Sequence, residues 1–505
     1  MRLRSWALVL CAGSALAFPP AAAPAASPPN TIVISQGVDA DTLDPIKTSV
    51  TPSANIHGHI FEPLAWRAAD GSLRPALALS WKRISPLVWE FRLRRNVTFS
   101  NGDPFTSADV KFTIEKVLDP AYKSQQEPRV DTVARVDTPA PDVVRVTTKR
   151  PTPLAPAVTR FLYIVDAKYW QAHGDAYMAD HPIGTGPYVL TAWRKDDELD
   201  LDANPHYWGP QPAIPHVVFR PIPDASARVA ALKTGESDLI TNVPFQYALG
   251  LTGGQTTRMT SARSVRVLYI AFNTEKPGPQ NNKTLRQALN YAIDVPAIIK
   301  AVLGGRGYEL GEPVPPNFFG YDPALKPYAH DDAKARALLA KAGYPDGKGL
   351  ELTLNTPQGR YNADKEVALA VAGQLQKYGI AVTVHSGEWV TYFRQASQKQ
   401  LVNMYELGWG NITYDAADTI SSLLSTGGGV STFSNPELDR LNDAALYELD
   451  PKKRAALYHQ AMALIHEEAP WLFLFEFEDL YATTKRLQWN ARPDEAIYAW
   501  EMKLK

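Results

Sequence analysis

From Val88 to Arg94 apolar and polar positions alternate, with Trp89, Phe91 and Leu93 against Glu90, Arg92 and Arg94. Period two is the mark of a strand with one buried and one wet face. Asn101-Gly102-Asp103-Pro104 then breaks the chain. Thr106 with Asp109 three residues on forms a capping box, and Val110, Ile114, Val117 and Leu118 carry the apolar spacing of the helix it starts. Upstream, Thr31 to Ser35 reads as a short strand and Asp41 to Pro45 as a turn, with strands and turns dominating to Lys149. At Ile183 to Trp193 turn-formers precede an apolar strand, and a helix at Asp224 to Leu232 is closed by Gly235.

From Val265 to about Phe477 strand and helix patterns alternate, the sequence sign of an α/β lobe. Val267 to Phe272 and Ile380 to Val384 read as strands. Leu285, Ala288, Leu289, Ala292 and Ile293 share one helical face. Asp331 or Asp332 caps a helix that carries Leu338 and Leu339 and ends at Gly343, and a further helix from Ala363 to Tyr378 ends at Gly379. Trp471 to Trp489 returns to strand character. There is no tandem repeat.

Length and charge narrow the functional classes. At roughly 150 residues per domain, 505 residues suggest about three domains. Lys plus Arg is 52 against Asp plus Glu 53, so no global field recruits nucleic acid or an anionic membrane. Arg2 and Arg4, an apolar stretch from Trp6 to Phe18 and small residues to Ser27 have the layout of a secretory signal peptide, with cleavage after Ala17 or Ala26. The only cysteine, Cys11, lies inside it, and Leu10 in front of it disfavours lipidation. The exported chain then has no thiol, which excludes disulfides and cysteine-ligated metals. No later window approaches the roughly 18 apolar residues of a membrane span, so a soluble periplasmic protein is expected.

The segment Leu77 to Val117, the run IGTGPYVLTAW at 183–193 and NPHYWG at 204–209 together resemble landmarks of the bacterial extracellular solute-binding proteins of the peptide/nickel (dipeptide/oligopeptide) ABC importer family, family five. The resemblance implies an α/β, two-lobed periplasmic binding protein fold with hinge strands and an additional subdomain in the first lobe (cluster C type). The expected division is a signal peptide at 1–26, lobe I from 27–56, 183–265 and 478–505, the subdomain at 57–182, and lobe II at 266–477. Strands near Val267 and Leu474 form the expected hinge. By the same resemblance the protein is a monomeric binder and not an enzyme, and needs no cofactor or metal. It captures a short peptide or peptide-like solute and delivers it to an ABC permease and its ATPase at the inner membrane.

Two segments of lobe II carry the expected site, TPQGRYNAD at 356–364 and LGWGNITYDAAD at 407–418. Arg360 matches the family arginine that takes a ligand carboxylate, for which the planar guanidinium fork is suited. The competing reading is a salt bridge to Asp364. Tyr361 is suited equally to core packing and ligand stacking, and Trp409 either covers the solute or packs the hinge. Peptide binders of the family place an aspartate for the ligand ammonium where this chain has Ile412. Asp415 offers a substitute, although a turn or helix-cap role is favoured for it. Trp389 and Gly408 complete the expected ligand-binding set.

The Trp-Gly start and Asp-Ala close of the second segment resemble the branch with glutathione-binding and opine-binding proteins, which points to a small anionic or zwitterionic solute. Glutathione, an opine or a nickel complex are the alternatives within the family. An exported hydrolase with paired carboxylates is the alternative outside it, and no spacing supports that. His57-Gly58-His59 puts two imidazoles on one face of an expected strand but lacks a third metal ligand, so a surface or hinge role is favoured. His466-Glu467-Glu468 lacks the second histidine of a metalloprotease helix, Gly427-Gly428-Gly429 lacks the lysine of a phosphate loop, and no serine sits in a nucleophile elbow.

Overall fold

The computed structural model describes residues 28–505 apart from 70, 154–158, 160, 161 and 412. The leader expected at 1–26, with Cys11, and the substitution at Ile412 lie outside the described residues. The strands, in chain order, are β1 (Thr31–Gln36), β2 (Ala65–Arg67), β3 (Leu73–Pro75), β4 (Ala78–Ser85), β5 (Val88–Leu93), β6 (Val133–Ala140), β7 (Val143–Thr148), β8 (Tyr188–Arg194), β9 (Glu198–Ala203) and β10 (His216–Pro221). They continue with β11 (Leu239–Ile240), β12 (Thr257–Phe272), β13 (Gly307–Glu309), β14 (Glu351–Pro357), β15 (Ala381–Gly387), β16 (Met404–Gly410) and β17 (Trp471–Thr484).

One mixed sheet runs through the molecule in the order β15-β14-β16-β12-β17-β11-β1-β10-β9-β8, with β13 paired to β17. β1 is parallel to β10 and β11, and β14 is parallel to β15 and β16. The long strands β12 and β17 run antiparallel along their length, and their register shifts between Arg263 and Val267. The buried apolar residues divide there. One core spans Val265 to Phe477 with Val50 added, a second holds residues between 32 and 239 together with Tyr481 to Met502, and a third, smaller one gathers Val229, Leu232, Ile240, Val243, Leu251, Leu480 and Ala482. The two lobes therefore share a sheet but no core, so dihedral changes in two strands rotate one against the other without opening either.

The strand expected at Val267 to Phe272 is only the second half of β12. Its first half, with Arg258, Thr260, Ser261 and Arg263, is too polar to register as apolar alternation, yet it is paired residue by residue with β17. In the first lobe a separate sheet, β4-β5-β7-β6, contains the alternating segment that opens the pattern. Phe91 and Leu93 are buried as expected. Glu90, expected on the wet face, is buried too, beneath Arg145 Nε at 3.0 Å. The helix Ser107–Leu118 starts with the full capping box, in which Thr106 N donates to Asp109 Oδ2 at 2.7 Å. Asp331, not Asp332, caps the helix Asp332–Lys341.

The paired histidines correct the sequence reading in secondary structure and in exposure. They lie on the helix Thr51–Ile60 and are fully buried. His57 Nε2 meets Thr42 O at 2.8 Å, His59 Nδ1 meets Asn55 O at 2.7 Å, and Ala499 N donates to His59 Nε2 at 3.0 Å. Burial lowers both imidazoles to about 4, so they serve as neutral struts within the core. Among the described residues no cluster of three or more His, Cys, Asp or Glu is placed to hold a metal ion. None of their helices is long and apolar enough to cross a membrane.

Candidate functional site

Where the lobes face each other over the hinge strands, three adjoining cavities all touch Thr51, and Asn55, Arg266, Arg360 and Gly410 each line two of them. The backbones meet closely at one edge, where a Cβ at Gly37 would come 2.1 Å from Gly359 O. Only glycine allows the first lobe this approach to the turn that carries Arg360.

That turn is built by Asp364. Its carboxylate accepts the backbone N–H groups of Gly359, Arg360 and Tyr361 at 3.3, 2.9 and 3.1 Å. Because those donors occupy the carboxylate, Asp364 forms no salt bridge with the Arg360 side chain. The guanidinium instead lies over the rings of Tyr361 and Trp389, 4.8 and 5.3 Å from their centroids. Arg360 is 6% exposed, and its Nε has no hydrogen-bond partner. Burial first, and then the positive charge of Arg266, lower its pKa, the mark of a cation short of an anion.

Tyr361 both packs in the core and faces the cleft. Its OH donates to Gly408 O at 3.1 Å and its ring packs on Phe477, yet it also lines the middle cavity with Trp389, Gly408 and Trp409. A Cβ at Gly408 would come 2.8 Å from the Tyr361 ring, so this glycine makes room for the aromatic wall. Trp409 lines the middle cavity and also packs against the second-lobe core. Its Nε1 donates to Asp418 Oδ2 at 2.9 Å, and Arg129 Nε, from the opposite lobe, donates to Asp418 Oδ1 at 3.1 Å.

This buried ion pair spans the cleft and belongs to the closed arrangement. Asp418→Asn keeps the acceptor for Trp409 but removes the charge facing Arg129, which should cost the closed state about 1.5–3 kcal/mol. Affinity should fall roughly tenfold or more, with little change in the contacts to the solute itself. Titration calorimetry on Asp418→Asn checks this, and unchanged affinity would show that the pair does not act on closure.

Asp415 is corrected as a ligand-binding residue. It caps the helix Ala416–Leu423, and its two oxygens accept from Arg454 Nη1 and Nη2 at 2.6 and 2.7 Å. It lines none of the three cavities.

Sequence reasoning missed Arg129, Arg266, Asp479 and Glu495. Arg266 on β12 donates through Nε and Nη2 to Glu495, through Nη1 to Gly408 O at 2.7 Å, and also to Thr51 Oγ1 at 2.8 Å. Asp479 on β17 lines the inner cavity with Arg360, Glu495, Asn55 and Asn242, and its Oδ2 has no partner. Burial, reinforced by Glu495, holds the Asp479 carboxyl well above the usual carboxylate range. For Glu495 the arginines Arg266 and Arg360 outweigh the upward push of burial, so it stays below that range. The available signal was charge inside the otherwise apolar strands VRVLYIAF and WLFLFEFEDLY.

Residues 72–431 match the profile of the family described as bacterial extracellular solute-binding proteins, family 5 Middle. The chain belongs to this family. Among its relatives is the heme-binding protein A of Haemophilus influenzae, 30% identical over 81% of this chain and 79% of that protein. The glutathione-binding protein GsiB of Escherichia coli O6:K15:H31 is 30% identical over 90% of this chain and 91% of its own length. Among solved structures, the ABC transporter-associated periplasmic binding protein DppA from Helicobacter pylori, in complex with the peptide STSA, superposes with a TM-score of 0.86. It is 26% identical over 94% of this chain and 98% of that one. This family-five chain has the two-lobed fold of these binding proteins, and its relatives act by binding.

Proposed function

We propose that this chain is the periplasmic substrate-binding component of an ABC importer, which closes its two lobes on a short peptide or peptide-like solute and hands it to the membrane permease. The observation that carries the reading is the Arg360 guanidinium, buried between two aromatic rings in the interlobe cleft with Nε unpartnered. Keeping a cation out of water without a counter-ion is costly, and a ligand carboxylate removes that cost. Gly408, Tyr361, Trp389 and Trp409 form the wall against which the body of the solute stacks. Asp415 supplies no contact in this reading.

The name of the glutathione-binding relative supports this chemistry, glutathione being a carboxylate-rich tripeptide. The closing mechanism is population shift: contacts made to both lobes favour the closed form by the difference in affinity between the two states. The test is calorimetry of the ligand-stripped protein with glutathione and a panel of di- and tripeptides, combined with small-angle scattering. The expected result is stoichiometric heat, recovery of unchanged solute and a smaller radius of gyration. Turnover of the solute, or an unchanged radius on confirmed binding, would count against the reading.

A further inference from the structure

The inner cavity holds more than an anion site. Its lining brings Arg360 from the second lobe together with Asp479 from β17 and Glu495 from the C-terminal segment. Glu495 is fully engaged, since Arg266 donates to both of its oxygens and Ser264 Oγ donates to Oε1 at 3.4 Å. The Asn55 side chain is committed as well, with Nδ2 donating to Gln36 Oε1 at 3.0 Å and Oδ1 accepting from Ile497 N at 3.2 Å. Two groups in this lining are left over, the Arg360 guanidinium with its free Nε and the Asp479 carboxyl with its free Oδ2. They are of opposite sign, belong to opposite sides of the cleft, and do not pair with each other.

We infer that Asp479 receives a cationic nitrogen of the solute while Arg360 receives its carboxylate, so that the inner cavity is built for a compact zwitterion such as the amino acid head of a peptide. This deepens the proposed function and rests on Arg360 as the anion anchor. It also accounts for the aspartate missing at Ile412 and the unavailability of Asp415: the cation partner has moved from the second lobe to the hinge strand. Charge balance favours the same assignment. Arg266 and Glu495 engage each other, which leaves the Arg360 guanidinium and the Asp479 carboxyl to the charged groups of a solute. A carboxylate alone neutralises Arg360. Burial raises the Asp479 carboxyl and an ammonium beside it favours the ionised form, so binding of a solute that also brings an ammonium is linked to proton release.

The groups facing Asp479 are Ser264 and Arg266 on β12, Tyr481 on its own strand, Glu495 from the C-terminal segment and Arg360 from the second lobe.

The experiment is calorimetry at pH 7 on the ligand-stripped protein with glutathione, L-alanyl-L-alanine and their N-acetylated forms, each in phosphate and in Tris, whose ionisation heats differ. For at least one free-amine probe, acetylation should weaken binding at least tenfold, and the two buffers should report net proton release. In Asp479→Asn the preference for the free amine and the buffer dependence should both disappear, while Asp479→Glu should retain part of each. Acetylated and free probes binding equally, with binding still lost in Arg360→Met, would overturn the inference and leave the anion reading intact. A loss in Asp479→Asn that is equal for both forms would mark a merely structural role and overturn it too. If none of the probes binds the correctly folded protein, the inference and the peptide-like reading beneath it both fall.

Discussion

Replacing Arg360 with methionine should weaken binding of a carboxylate-bearing solute roughly ten- to a hundredfold without lowering the melting temperature of the ligand-free protein. The first half follows from a charge-assisted contact worth about 1.5–3 kcal/mol, with about 1.4 kcal/mol per factor of ten. The second half follows from what the unliganded site lacks. Arg360 is buried with Nε unpartnered, and Asp364, the nearest acid in sequence, is spent on the backbone of the turn. Methionine keeps a flexible apolar stem between Tyr361 and Trp389 and removes a charge that the folded protein holds out of water at a cost. Affinity and stability should therefore move independently, or in opposite directions, as at sites where function is retained against stability. A structural arginine would lose both together. Arg360→Lys should recover only part of the affinity, because an ammonium cannot reproduce the planar fork. Calorimetry and thermal melts of the ligand-free protein, run on both variants, check these outcomes, and an unchanged affinity in Arg360→Met would remove the anchor from the site.

What was legible in the chain was whatever local physics decides. The capping box at Thr106 and Asp109, the single apolar face from Leu285 to Ala292 and the cap at Asp331 depend on neighbours a few residues away, and each is found where its residues put it. Long-range pairing was legible only where it left an apolar trace. The polar first half of β12 owes its strand state to β17, more than 200 residues later, and the pattern from 257 to 264 carries no hint of it. His57 and His59 misled for the related reason that two polar residues at spacing two suggest a strand face, whereas their hydrogen bonds to Thr42, Asn55 and Ala499 let a helix bury both. Within the site, the arginine on a lobe II turn was visible through its motif. Asp479 and Glu495 were not, because their importance lies in which of them Arg266 engages, and that is a three-dimensional fact.

Breaking the Asp415–Arg454 pair should unfold where Arg360→Met does not. Arg454 is buried, and besides Asp415 its guanidinium donates to Ala445 O at 2.9 Å and Tyr458 OH at 3.1 Å while lying over Phe319, 4.7 Å from the ring centroid. The Asp415 backbone is fixed as tightly: its carbonyl accepts from Asn411 Nδ2 at 2.7 Å, and Oδ1 also caps the next helix through Ala417 N at 3.0 Å. Arg454→Met leaves this carboxylate buried and uncompensated, a change that costs about 3–5 kcal/mol. Asp415→Asn leaves the cation unpaired and should also destabilise, though less, since the amide oxygen still caps the helix. The double change Asp415→Asn with Arg454→Met removes both charges and should recover much of the loss, which is the signature of a charge pair rather than of two independent contacts. Urea unfolding of the four proteins provides the cycle, and calorimetry at a temperature where all are folded provides its control. The affinity of Asp415→Asn should match that of the parent for free-amine and acetylated probes alike. Weakened binding of the free amine alone, with stability intact, would return Asp415 to the site as an ammonium partner and remove the reason for moving that role to the hinge strand.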